Sequence, residues 1–241
     1  MSLNGKTIII TGAARRLGSA MAMACAHNGA DIILHYRESS HEVEATSNEI
    51  ERIGRKSWII QADLSDSNAV GELMAQAASL SSIFGLINNA SIFKSIGFMD
   101  TTINDWNDHI QVNLTAPFLL TQAFAHQYSL SAPGRVVNLV DWRALRPGRD
   151  HFPYTISKAA LVALTKSTAL NLAPRINVNA IALGAILPPE DEPENPNLMK
   201  NIPQKRWAEL DEFTQTVLFL LDGPDYITGE VIHLDGGRHL V

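Results

Sequence analysis

Lys6-Thr7-Ile8-Ile9-Ile10-Thr11-Gly12-Ala13-Ala14-Arg15-Arg16-Leu17-Gly18 decides the fold. Lys6 to Ile10 is a short, β-branched apolar run of the kind that forms a buried strand. Beyond Gly18, Ser19 to Ala26 is almost all alanine and methionine, which are strong helix formers. Strand, glycine turn and helix together aim backbone N–H groups and a helix N-terminus at a phosphate. Gly12 permits the tight turn, and Gly18 lets the helix lie close to the strand. By itself the stretch also fits an ordinary strand-to-helix connection.

Working outward, strand and helix patterns alternate along the chain. Strands are predicted at Asp31–Tyr36, Ser57–Gln61, Ile83–Asn88, Arg135–Val140, Asn177–Ala182 and Val231–Leu234. Helices are predicted at His41–Gly54, Asp66–Ser81, Val112–Leu130, Pro153–Leu172 and Trp207–Leu221, with a kink or restart at Pro117. Such alternation implies an α/β fold: a single Rossmann-type doubly wound domain over residues 1–241, with a mostly parallel seven-stranded sheet covered by helices on both faces. There is no internal repeat or low-complexity tract.

Tyr154 and Lys158 stand four apart in Tyr-Thr-Ile-Ser-Lys, one turn apart on one helix face. The cation is expected to lower the phenol's pKa toward working pH, which makes it a proton donor and acceptor. Thirteen residues earlier, where the fifth strand ends, stands Asp141. Ligands gather at such strand ends in open sheets.

Asn88-Asn89-Ala90 closes the Ile83-Phe84-Gly85-Leu86-Ile87 run, and Asn113 lies in the helical stretch that follows. With the first turn and the Tyr154/Lys158 pair, the chain resembles the short-chain dehydrogenase/reductase family along its whole length. The resemblance implies that Asn113, Tyr154 and Lys158 are catalytic, with Asn113 orienting a water that connects Lys158 to solvent. It also implies that Asn89 and Ala90 lie along the cofactor and that the protein is a homotetramer. The apolar Leu161-Val-Ala-Leu164 stretch is a candidate interface, which would bring Arg238 and His239 toward a neighbour's site.

Three departures from the family pattern resemble the pteridine reductases and bacterial dihydromonapterin reductases. Arg16 replaces a glycine of the first turn, Ser91 followed by Phe93 replaces the glycine after Asn-Asn-Ala, and Asp141 replaces a serine. Leu234-Asp235-Gly236-Gly237-Arg238-His239-Leu240 is similar to the bacterial members. The chemistry agrees. A serine hydroxyl donates to a carbonyl undergoing reduction, whereas an ionised aspartate only accepts and repels a developing alkoxide. A dihydropterin edge offers several N–H donors and a reducible C=N bond. Phe93 is expected to stack on such a ring, and Arg16 to reach both cofactor and pterin. Ser91, Asp141 and Tyr154 complete the expected substrate contacts. Alternatively Asp141 is a capping or surface acid, and Phe93 is core packing.

Cofactor choice is read at the end of the second strand. An NAD enzyme usually places an acid there for the ribose hydroxyl. Here stand His35, Tyr36 and Arg37, with Ser39 just beyond; Arg37, Ser39 and Arg15 suit a 2′-phosphate, and Glu38 is the contrary signal. NADPH is therefore expected, held also by Leu17, Gly184 and Lys158. Asp63-Leu64 resembles the family's adenine contact, with helix capping as the alternative for Asp63.

The segment from Leu187 to Pro203 carries many prolines and four acids, Glu190, Asp191, Glu192 and Glu194, and is expected to form a substrate lid within residues 184–206. Arg143, Arg146 and Arg149 in the neighbouring loop are read as a solvated basic loop, with attraction of a folate's acidic tail as the alternative. Because the lid is acidic, tailless pterins are expected over a folate.

The chain's 46% hydrophobic content is that of a soluble globular protein, and no apolar run reaches the ~20 residues of a membrane span. No signal segment is seen, so a cytoplasmic location is expected. A net charge of −6 argues against nucleic acid as partner, and the single Cys25 excludes an internal disulfide and reads as inert packing. His27, His109 and His126 lack metal-ligand spacing. The expected reaction is hydride transfer from NADPH to a dihydropterin, with Tyr154 and Asp141, bridged by water, supplying the proton. The rivals are a reductase of a carbonyl compound such as a 3-oxoacyl thioester or sugar, and a non-catalytic nucleotide-sensing protein.

Overall fold

The computed structural model describes residues 3–188 and 199–241. Seven strands form one sheet: β1 (Thr7–Ile10), β2 (Asp31–Tyr36), β3 (Ser57–Gln61), β4 (Ile83–Asn88), β5 (Gly134–Asp141), β6 (Ile176–Leu183) and β7 (Val231–Leu234). Their spatial order is β3-β2-β1-β4-β5-β6-β7, and every pairing is parallel. The order reverses between β1 and β4, which opens a crevice at the strands' carboxyl ends. The expected doubly wound α/β architecture is what the chain adopts.

Alternating side chains of β1 build both layers of the core. Ile8 and Ile10 pack with Ile32, Leu34, Met21 and Phe213 on one face of the sheet. Ile9 packs with Ile33, Leu73 and Phe124 on the other. The first layer is covered by α1 (Arg16–His27), α2 (Ser40–Arg52) and α7 (Leu210–Asp222), the second by α3 (Ser67–Leu80), α5 (Ala116–Gln127) and α6 (Phe152–Leu172). Cys25 is buried in the first layer, which pushes its thiol up to about 12, so the inert-packing reading holds.

The expected helix Val112–Leu130 is corrected. An unforeseen helix, α4 (Ile103–Ile110), precedes it, and Gln111–Thr115 form a π-helical turn before α5 starts at Ala116. Pro117 has no N–H for the carbonyl four residues back, that of Asn113, so the α-helical ladder cannot run through this point. Helix α5 stops at Gln127 because Tyr128 turns extended (ψ 119°) and lays its ring 5.3 Å from that of Phe124. Likewise α7 begins at Leu210 rather than Trp207. Its N-cap is Glu209, whose amide donates to the Glu212 carboxylate at 2.7 Å.

Leu161 and Val162, expected at an interface, are buried within the chain against Val140, Ala180 and Ala182. The expected lid is described only at its two stems. Its acidic part, Glu190 to Glu194, lies outside the described residues. Among the described residues no helix is long and apolar enough to cross a membrane, and no three His, Cys, Asp or Glu residues cluster to hold a metal.

Candidate active site

A cleft of about 820 Å³ runs along the carboxyl ends of the strands, from the first turn across to Asp141 and Tyr154. The first turn is set by close approach. Gly12 has φ +62°, in the left-handed region, and a Cβ on Gly18 would stand 2.0 Å from the Gly12 carbonyl oxygen. Arg16, where a glycine is usual, also adopts φ +54°. Its guanidinium donates to the carbonyl of Pro188 at 2.9 Å, joining the turn to the stem of the lid segment.

Asn89 fastens this turn to β4. Its side-chain amide donates to the carbonyls of Thr11 (2.8 Å) and Gly12 (2.9 Å), while the amides of Asn89 and Ala90 donate to the Thr11 hydroxyl. From β2, buried His35 accepts from the Gly12 amide through Nδ1 (3.1 Å), which leaves Nε2–H for the carbonyl of Ala62 (3.1 Å). Burial lowers its pKa to about 4, so it is a neutral brace between three strand ends. The sequence gives His35 only a position; its bracing role needs the β2–β3 pairing.

Arg15, Leu17, Tyr36, Arg37, Ser39, Asp63, Leu64, Ala90 and Gly184 all line the cleft. Glu38, the contrary signal, pairs with Arg37 at 2.9 Å. Asp63 accepts from the Ser65 amide at 2.9 Å, and the cap of α3 is Asp66, so helix capping is not the role of Asp63. Gly184 is needed where it stands, since a Cβ there would meet the Asp235 backbone at 2.5 Å.

At the other end of the cleft, Asp141 closes β5 and Tyr154 lies in the first turn of α6. The phenol hydroxyl donates directly to Asp141 Oδ2 at 3.2 Å, without the intervening water that the sequence suggests. Asp141 Oδ1 accepts from the Arg143 amide at 2.8 Å, so this residue both caps the short turn Trp142–Ala144 and faces the cleft. Burial raises its carboxyl above the usual range, against the opposing pull of Arg143 and Lys158.

The expected depression of the Tyr154 phenol is corrected: burial and the neighbouring Asp141 charge push it well above 10. Lys158 does not counter this. Its ammonium donates to the carbonyl of Leu139 at 2.8 Å and stands 5.7 Å from the phenol ring centre. Complete burial lowers its pKa to about 8, although Asp141 pulls upward.

Asn113 is fully buried and its side chain is saturated. Its carbonyl oxygen accepts from the Ile92 amide (2.8 Å) and the Ser91 hydroxyl (3.1 Å), and its amide donates to the Ile92 carbonyl and the Ser157 hydroxyl, both at 3.0 Å. The side chain therefore clamps the loop after β4 to α6. Ser91 is turned into that clamp. Ser157, which the sequence reading passed over, completes it by donating to the Tyr154 carbonyl at 2.7 Å.

Phe93 is 55% exposed at the cleft, not core. It meets Tyr154 edge-on at 4.7 Å and stacks on His151 at 4.0 Å, with 13° between the rings. His151 was also unforeseen; it holds φ +51° just ahead of α6, and its Nδ1 lies 3.0 Å from the Lys94 carbonyl. Arg238, expected near a neighbour's site, lines this chain's own cleft with its guanidinium 4.1 Å from the Trp142 ring centre. His239 is bound to Asp235 at 2.8 Å.

A parallel sheet with a glycine turn at its switch point is the architecture of dinucleotide-binding α/β proteins. A family model described as enoyl-(acyl carrier protein) reductase matches residues 12–239. A 3-oxoacyl-(acyl-carrier-protein) reductase of Staphylococcus epidermidis is 32% identical over 242 residues, 98% of this chain and 99% of that one. Among solved structures, FolM alternative dihydrofolate reductase 1 of Brucella suis, in complex with NADP, superposes with a TM-score of 0.91 at 35% identity, covering 98% of this chain and 96% of that one. A blue fluorescent protein from a metagenomic library, in complex with NADPH, gives 0.92 at 33% identity, covering 99% of each chain. The chain belongs to the short-chain dehydrogenase/reductase family.

Proposed function

We propose that the protein is an NADPH-dependent reductase of a dihydropterin ring, yielding the tetrahydro form. The observation that carries this reading is the Asp141 carboxylate at the mouth of the cleft, hydrogen-bonded to Tyr154 where a carbonyl reductase needs a hydroxyl donor. The similarity to a solved alternative dihydrofolate reductase supports it. The similarity to 3-oxoacyl reductases favours a carbonyl substrate instead, and the Asp141 charge opposes that second reading.

The cleft fits the cofactor. A Cβ at Gly18 would meet the Gly12 carbonyl oxygen, so the start of α1 packs directly on the turn and points its N–H groups at the place of a pyrophosphate. Arg15, Arg37 and Ser39 line the cleft beyond it, where a 2′-phosphate is recognised; Glu38 lines it too and pairs with Arg37. Arg16, Leu17, Tyr36, Asp63, Leu64, Asn89, Ala90 and Gly184 form the remaining walls. NADPH bound there supplies the hydride.

The protein's own groups manage the ring and the proton. Asp141 accepts from the N–H donors of the pterin edge, and Phe93 offers its exposed ring as a stacking face. As the C=N carbon is reduced, its electron pair moves to the ring nitrogen, which takes the Tyr154 proton. Lys158, a buried cation whose ammonium donates to the Leu139 carbonyl, offsets the charge of the Asp141 carboxylate. Asn113 and Ser157 hold the loop that carries Phe93.

NADPH oxidation assayed with dihydromonapterin, dihydrobiopterin, dihydrofolate and a 3-oxoacyl thioester tests the reading. Turnover of the pterins is expected, and turnover of the thioester alone would overturn it. Tyr154→Phe is expected to lower turnover about 10²–10⁴-fold while NADPH still binds. Retained activity would reject the role of the phenol.

A further inference from the structure

Arg143 stands apart from the other arginines of its loop. Arg146 and Arg149 are exposed, as a solvated loop requires, whereas the Arg143 side chain is only 14% exposed and borders the cleft. Asp141 caps the turn Trp142–Ala144 by accepting from the Arg143 amide at 2.8 Å, which ties this backbone to the carboxylate. The guanidinium then comes within 3.8 Å of the same Oδ1 and donates to Asp150 Oδ2 at 2.9 Å. Burial disfavours its charge, and the Asp150 bond and the Asp141 charge more than restore it.

A half-buried cation between two carboxylates is commonly a structural pair. One detail separates this one: among the described residues its buried Nε–H has no hydrogen-bond partner. An unpaired buried donor is destabilising, which fits a group placed for its charge rather than for its bonds.

That charge bears on the reacting pair. Tyr154 and Asp141 share one negative charge across 3.2 Å. Once the phenol passes its proton to the substrate the couple carries two, and like charges so close oppose the step. Burial and Asp141 push the phenol up, and Arg143 is the cation that draws it back. The other charged groups near the couple are Lys158 on α6, which offsets Asp141 alone, Asp150, and Arg238 against the Trp142 ring. His151 stands 3.6 Å from the far side of the pair, at Asp150 Oδ2.

We propose that Arg143, fixed by Asp150, is the positioning residue that supplies the counter-charge of the Asp141–Tyr154 couple. It acts through those two side chains, and Asp150 acts through Arg143. The inference rests on the reading that Tyr154 gives the proton, and adds to it the cation that makes the gift possible beside a carboxylate.

The test compares the wild type with Arg143→Gln, and with Arg143→Met where the glutamine does not fold; NADPH binding reports the fold. Without the cation Asp141 takes up its proton at higher pH. The acid limb of kcat/KM for a dihydropterin is expected to move up by about one pH unit, and kcat at pH 7 to fall about tenfold. Arg143→Lys, which keeps the charge, is expected to bring the limb back toward its wild-type place. A merely structural arginine would lower the Tm and leave the limb where it stands, which overturns the proposal.

A second measurement needs no substrate. In protein labelled with carbon-13 at the aspartate carboxyls, the Asp141 resonance, identified by its loss in Asp141→Asn, is followed through an acid titration. Its midpoint is expected about one pH unit higher in the neutral variant. That shift without any pterin turnover leaves Arg143 its function and rejects only the ring assignment. A midpoint equal to that of the wild type overturns the counter-charge, whatever the substrate.

Discussion

The Tyr154 hydroxyl donates to Asp141 across 3.2 Å, while Lys158 on the same helix turns to the carbonyl of Leu139. The phenol is therefore held in its neutral form by a carboxylate rather than activated by the ammonium. Where a serine would present a second donor to the substrate, this site presents an acceptor joined to a donor. That polarity suits a ring edge with both N–H groups and a nitrogen to be protonated.

Replacing Asp141 with serine is expected to reverse the preference. The serine hydroxyl can donate to a carbonyl oxygen, and the charge opposing an alkoxide is gone. Asp141→Ser is expected to lose dihydropterin turnover by about 10²-fold and to gain measurable ketone reduction. A panel of ketones and dihydropterins, each assayed at several concentrations, checks both changes. Undiminished pterin turnover would remove Asp141 from the substrate contacts.

The rate should fall at both ends of the pH range, for separate reasons. Lys158 is charged below about 8 and loses its charge as pH rises through that value, and with it the cation that balances the Asp141 carboxylate. Asp141 protonates above the usual 3.8 as pH falls, because it is buried, and then ceases to accept from the ring. In Asp141→Asn the acid limb should vanish. The alkaline limb should move to lower pH, since Asp141 is the charge that raises the Lys158 pKa. A pH profile of kcat/KM for the two proteins measures this, and an alkaline limb left in place would separate Lys158 from Asp141.

The first turn gives a sharper structural expectation. In Gly18→Ala the new methyl would fall 2.0 Å from the Gly12 carbonyl oxygen, so α1 or the turn must move. Overpacking of this kind costs about 1–3 kcal/mol. The Tm should drop, and NADPH affinity should fall at least about tenfold, because the turn's N–H groups no longer point as built. Fluorescence titration with NADPH reads the second effect. An unchanged Kd would show that the turn does not set the cofactor's place.

Several of these features were legible in the chain, and others arise only on folding. Asp31–Tyr36, Ser57–Gln61, Ile83–Asn88 and Val231–Leu234 are strands at the predicted bounds, because each is an apolar run cut off by polar or glycine residues. Helix α4 was missed because Ile-Asn-Asp-Trp-Asn-Asp-His-Ile has weak helix formers. Its Thr102/Asp105 capping box was the available signal, and Phe152, brought within 6.3 Å of Trp106, adds packing that no local pattern reveals. The site divides the same way. Asp141, Tyr154 and Lys158 follow from spacing on one strand end and one helix face. That His35 braces three strands, that Lys158 chooses the Leu139 carbonyl, and that Arg238 reaches Trp142 depend on segments distant in the chain.

Asn113 offers the clearest separation of a clamp from a water-orienting role. Its four side-chain hydrogen bonds tie Ser91 and Ile92 to Ser157, and through them fix the loop that presents Phe93. Asn113→Ala leaves the part-buried Ile92 amide without its acceptor, at a cost of about 1–3 kcal/mol. The Tm should fall, the Ile92 amide should lose protection from hydrogen exchange, and the pterin KM should rise. Asn113→Asp keeps the two accepted bonds and loses the two donated ones, so it should protect the Ile92 amide better than alanine does. If the alanine variant lowers kcat while Ile92 stays protected and KM is unmoved, the side chain acts on the proton path and the clamp is not its function.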